Sequence, residues 1–128
     1  MNQSIAINIM LIMFFLSGIS KIRNFKTVSR DFVTKVPFKI PIELAYICIL
    51  CAIVIQILSP ILINVGLIKK NKRLIFYSTL SIIIFTILAT LLYHFPPTGY
   101  QYYPFMSNVT IIGGFLLIIT YNMDIKLI

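Results

Sequence analysis

Few side chains in this sequence could do chemistry, and most of them stand at the ends of long apolar runs. Lys21 arrives abruptly after "FFLSGIS", closing a stretch from Met1 that holds no charge. Glu43 lies two residues after Pro41. His94, the one histidine, closes another apolar run, and Tyr100, Gln101 and Tyr103 follow in "PPTGYQYY". A carboxylate just after a proline suits a helix start, where the dipole favours negative charge. The alternative for Glu43 is an ion pair with Lys21 or Arg23, because an unpaired carboxylate in hydrocarbon is costly. Lys21 could snorkel to an interface and still reach that acid.

His94 ends a seam of hydroxyls, Thr79, Thr86 and Thr90, that share one helical face. Such hydroxyls either bond back to their own helix and to neighbours, or line a small cavity or proton path. A lone histidine without further ligands makes no metal site. Cys48 and Cys51 spell "CILC". A redox C-x-x-C needs a helix N-terminus or a base to activate the thiol, and an apolar run supplies neither, so both read as small hydrophobes. There is no phosphate-binding glycine loop and no serine–histidine–acid set, and the chain holds three acidic residues. Hydrolytic and nucleotide-driven mechanisms have nothing to stand on. No residue is assigned a catalytic role.

The elements that must position these groups follow from composition. Of 128 residues, 59% are hydrophobic and 11% charged, with a mean hydropathy of +0.99. A soluble domain carries about 25% charged residues, so lipid must be the solvent for much of this chain. The net charge of +8 lies between apolar segments, as membrane flanks do, and offers no folded basic surface for nucleic acid.

A spanning helix needs about 20 apolar residues. Four segments qualify: 3–19, 41–65, 74–95 and 104–122. They are too long and too evenly apolar for spanning strands. The first has no basic residue before it and no A-x-A step after it, so it reads as a retained helix rather than a cleaved signal peptide. Between the first two spans, Ile22, Phe25, Val28, Phe32 and Val36 recur at helical steps, opposite Arg23, Lys26, Arg30, Asp31 and Thr34. That pattern predicts an amphipathic helix over 22–36, lying in the headgroup plane with its apolar side dipping into lipid. Ser107, Thr110 and Gly114, with Gly113 beside them, form a stripe of small residues suited to close helix packing.

Four spans place the first and third loops on one side of the membrane. Lys21, Glu43, His94, Tyr100, Gln101 and Tyr103 then gather at one face. Basic residues divide almost evenly between the two sides, and the dense "KKNKR" turn tips the orientation towards cytosolic termini.

Four quoted stretches resemble the DoxX family. "FFLSGISKI" (Phe14–Ile22) resembles its first-helix signature, and Glu43 in "IELAYI" its acid at the start of helix two. "FTILATLLYHF" places His94 at the end of helix three, and "FMSNVTIIGGFLLI" matches the fourth-helix pattern of Asn108 followed by Gly113 and Gly114. Ser107 stands where the family often has lysine. The resemblance covers nearly the whole chain.

The expected fold is therefore all-α: an integral membrane four-helix bundle, 1–128 as one transmembrane domain, with an amphipathic interfacial helix between helices 1 and 2. Membership implies a membrane subunit of an oxidoreductase assembly, with a quinone or a lipid as ligand and a protein partner in the membrane. Lys21, Glu43 and His94 would line the pocket, with Gln101 and Asn108 as hydrogen-bond donors. Other relatives imply a non-enzymatic assembly, chaperone or trafficking factor. A quinone site should leave a pocket between helices, open to lipid and reaching His94; a scaffold should pack that space shut.

Overall fold

A computed structural model describes residues 3–36, 38–93 and 98–123. Every regular element in them is helical. The elements are α1 (Gln3–Arg23), α2 (Phe25–Lys35), α3 (Ile42–Lys69), α4 (Lys72–Tyr93), a 3₁₀ turn (Gly99–Gln101) and α5 (Tyr102–Met123). Four of these helices are long and apolar enough to cross a membrane.

The boundaries follow from local chemistry. α1 continues past residue 19 to Arg23, with Lys21 and Arg23 in the last turn, where the dipole favours cations. Asn24 then interrupts the chain, its side-chain amide donating to the Ser20 carbonyl at 3.1 Å. α2 accordingly begins at Phe25, not at Ile22 as the periodicity suggests. It ends before an extended Val36 (ψ 147), the conformation that a following proline imposes.

α3 outruns its expected end at residue 65. It passes through Pro60 and stops at Lys69. The "KKNKR" turn then makes a tight hairpin. Lys70 adopts a left-handed φ of 53°, and the Asn71 amide N–H donates to the Gly66 carbonyl at 2.9 Å, satisfying a helix-end acceptor. The Asn71 side chain caps α4 by accepting from Leu74 N–H at 3.2 Å. Gly66 lets the two helices close: a Cβ there would lie 2.7 Å from Ile75 Cγ1.

α3 is the central helix, packed against α1, α2 and α4, and α5 packs on α4. α1 reaches α5 through an edge-on contact of Phe14 with Phe115, ring centres 5.4 Å apart. Gly114 packs against Met10, whereas Gly113 has open space where a Cβ would go. Ser107 and Thr110 are exposed, so the small-residue stripe narrows to Gly114.

Polar contacts fix the register. Asn8 and Asn64 exchange reciprocal amide hydrogen bonds of 2.8 and 2.9 Å, and Gln56 reaches Ser17 at 3.3 Å. Extending this antiparallel register puts Lys21 level with Ala52. At 1.5 Å per residue the 28 residues of α3 run about 42 Å, against about 31–33 Å for α1, α4 and α5. The excess lies at the N-terminal end of α3. There α2 covers it: Phe32 and Val36 are buried with Ala45, Ile49 and Ile53, and Phe25 stacks on Tyr46. Phe32 and Val36 on the apolar side of α2 thus pack on protein, because α3 extends far enough to receive them.

Candidate functional site

The two ends of the bundle differ. Around the "KKNKR" hairpin the helices close on a core that includes Ile7, Leu11, Ile63, Ile82, Phe115 and Ile119. Towards the other end they part around a cavity of ≈ 660 Å³, walled by α1, α3 and α4, with Val28 and Phe32 of α2 and Asn108 of α5 completing it. That volume lies in the range of small-molecule sites, about 300–1,000 Å³. Most of its wall is apolar. Met13, Ile47, Cys51, Ile84 and Leu88 line it and are also exposed on the bundle surface, so the cavity opens where a spanning protein meets acyl chains.

One polar cluster interrupts this wall. Lys21 is half-buried and donates from Nζ to Ser17 Oγ at 2.8 Å. One turn apart on α1, these residues share a face by helical spacing alone. Gln56, from α3, donates from Nε2 to the same Ser17 oxygen at 3.3 Å. Its side chain is only 4% exposed, and its Oε1 has no hydrogen-bond partner. Across the cavity, Asn108 donates to Thr90 Oγ1 at 3.0 Å, and Thr90 donates to the Thr86 carbonyl at 2.6 Å. Thr86 donates to the Ile82 carbonyl at 2.8 Å and also lines the cavity. Thr86 and Thr90 of the seam bond back along α4, Thr86 also lines the cavity and Thr90 accepts from a neighbouring helix, whereas Thr79 Oγ1 is buried without a partner.

Of the five expected site residues, Lys21 and Asn108 meet at this cavity. Glu43 does not. It is exposed, and among the described residues no ion pair joins it to Lys21 or Arg23. Register gives the reason: Glu43 lies nine residues before Ala52, about 13 Å further along the axis. Gln101 sits half-buried in the 3₁₀ turn, outside the described lining of the cavity. His94 lies outside the described residues. Tyr100 and Tyr103 are exposed.

Sequence reasoning missed Gln56. Its signal was present, a lone amide in the apolar run between Tyr46 and Leu58, and a polar group at such a depth needs a partner or a function. Cys48 and Cys51, both free thiols, also line the cavity. Among the described residues no three metal-ligating side chains come together. The arrangement offers one cation, two amides and three hydroxyls to a guest whose remaining surface must be apolar.

The DoxX family model matches residues 8–95, from the second turn of α1 past the end of α4. No curated protein and no solved structure matches the chain. The matched segment is more than half of the sequence and includes three of the four spans and the cluster at Lys21, Ser17 and Gln56; the chain belongs to the DoxX family and is a multi-pass integral membrane protein.

Proposed function

We propose that this protein holds an amphipathic ligand, a quinone or a lipid, as the membrane subunit of an oxidoreductase assembly. The carrying observation is the cavity: it lies between helices, opens through exposed apolar residues, and has hydrogen-bonding groups at Lys21, Ser17, Gln56 and Asn108. An apolar pocket with a few convergent polar groups is the usual form of a small-molecule site. In this reading residues 1–128 act as one transmembrane domain, α2 lies at the headgroup level, both termini face the cytosol, and a partner protein supplies the catalytic centre.

The test is thermal unfolding of the purified protein in neutral detergent, with menaquinone, ubiquinone or defined lipids added. A ligand at a hundred times its Kd should raise Tm by roughly 5–10 °C. No shift with any of them, together with a stably co-purifying protein, would overturn the reading. That outcome would favour the second reading, an assembly or trafficking factor. Its support is that Ser17 ties Lys21 to Gln56, so the same cluster also joins α1 to α3.

A further inference from the structure

The polar cluster has a charge and a hydrogen-bond pattern that a neutral guest leaves unmet. Lys21 is the only charged residue in the described lining of the cavity. Its neighbour there, Ser17, is neutral, and the carboxylate best placed by sequence to pair with it, Glu43, stands on an exposed turn about 13 Å away along α3. An ammonium at the edge of hydrocarbon is stabilised by an opposite charge or by water. Ser17 Oγ accepts from both Lys21 and Gln56, while Gln56 Oε1 is buried without a partner. Rotating that amide by half a turn lets Ser17 donate to Oε1 and turns the buried orphan acceptor into a buried amide donor. The groups left unmatched are then all donors: the remaining Lys21 N–H groups, on the cavity wall, and both Gln56 N–H groups, buried behind it. Donors converging with a positive charge call for an anionic oxygen.

The surroundings agree. The same end of the molecule carries Arg23, Lys26, Arg30, Lys35 and Lys39 against Asp31 and Glu43, a basic rim that concentrates anionic amphiphiles. Most of the rest of the cavity wall is apolar and opens to acyl chains.

We propose that the cavity binds the head of an acyl-chain amphiphile carrying an anionic oxygen, a carboxylate or a phosphate, through Lys21, which Ser17 and Gln56 position. This rests on the ligand-holding reading above and narrows it.

The experiment compares oleate, dioleoyl phosphatidylglycerol, oleyl alcohol, menaquinone and inorganic phosphate, by thermal shift in neutral detergent and by native mass spectrometry. Oleyl alcohol differs from oleate only at the head, so the central comparison needs no variant. Oleate or phosphatidylglycerol should raise Tm and bind one per chain, at least about tenfold more tightly than oleyl alcohol. Which of the two wins identifies a free fatty acid or a phospholipid as the source. Phosphate alone should not shift Tm, because it fills none of the apolar wall. Lys21→Met should weaken the anionic ligand about tenfold or more, and oleyl alcohol by clearly less. Lys21→Arg should restore it, and Gln56→Leu should give an intermediate loss. Equal binding of oleate and oleyl alcohol, or tighter binding of menaquinone than of either anion, overturns the anionic-head proposal and leaves the ligand-holding reading standing. No shift with any amphiphile overturns both.

Discussion

Asn8 and Asn64 hydrogen-bond to each other through both amides, at 2.8 and 2.9 Å. Each also uses its amide nitrogen locally: Asn8 on the Ser4 carbonyl, and Asn64 on the carbonyl of Pro60. Neither replaces the bond that Pro60 removes, which is the N–H that would have donated to the Gln56 carbonyl. Interhelical polar pairs in membranes contribute modestly, averaging about 0.6 kcal/mol and reaching about 1.7. A double-mutant cycle with Asn8→Ala and Asn64→Ala should therefore return a coupling of about 0.5–1.5 kcal/mol in favour of the pair, read from reversible unfolding in detergent. A coupling indistinguishable from zero would mean that the register between α1 and α3 is set by apolar packing and by Gly18, where a Cβ would stand 2.7 Å from Ile57 Cγ1. The sequence displays both asparagines plainly, yet nothing in spacing says that residues 56 positions apart will pair. Gln56 was hidden for the same reason. Its partner Ser17 lies on another helix, and only the antiparallel register brings them within reach. Lys21 was legible because a cation closing an uncharged run is conspicuous on its own.

At the scale of elements, hydrophobic runs announced all four spans, base-rich breaks announced the first two loops, and "PPTGYQYY" announced the third. Length errors were concentrated at helix ends, where capping decides: Asn71 starts α4 by accepting from Leu74 N–H, a detail that an apolar window does not register. α3 departed furthest, because its last turn before Lys69 is closed by a hairpin and its first turns are sheltered by α2. With about 42 Å of helix against a bilayer core of about 30 Å, one end must stand in the interface. The packing of Phe32 and Val36 on Ala45 and Ile49 assigns the excess to the Glu43 end. Periodicity recognised α2 as amphipathic but could not say what its apolar side would meet, lipid and protein being equally apolar. Scanning single cysteines in a Cys48→Ala, Cys51→Ala background should separate the levels. Glu43→Cys and Tyr100→Cys should react with a membrane-impermeant maleimide from one compartment, the non-cytosolic one in the proposed orientation. Ala52→Cys should resist it, and Lys70→Cys should react only from the opposite side. Labelling of Glu43→Cys and Tyr100→Cys from opposite compartments would break the topology.

Across the whole molecule, packing is uneven along the membrane normal. One end is stitched by Asn8 with Asn64, by Gly66 against Ile75 and by Phe14 against Phe115. The other end holds a cavity of ≈ 660 Å³ under the shelter of α2. Packing of helices in lipid rests on van der Waals contact and close approach rather than on the hydrophobic effect, so a void between helices forfeits contacts and is destabilising unless a guest restores them. In the proposed reading a bound amphiphile restores those contacts. Ala89 lies on the α4 wall of the cavity and is half-buried. Ala89→Leu should therefore fill part of the space, raising the stability of the empty protein by about 0.5–2 kcal/mol as cavity filling commonly does. It should also abolish the Tm increase that an amphiphile gives the wild type. The two effects have opposite signs, and their combination separates the readings. If Ala89→Leu is stabilised and still responds fully to the ligand, the guest binds elsewhere. If it is destabilised, the space is already occupied by packing that these helices cannot give up, and the assembly-factor reading gains what the ligand carrier loses.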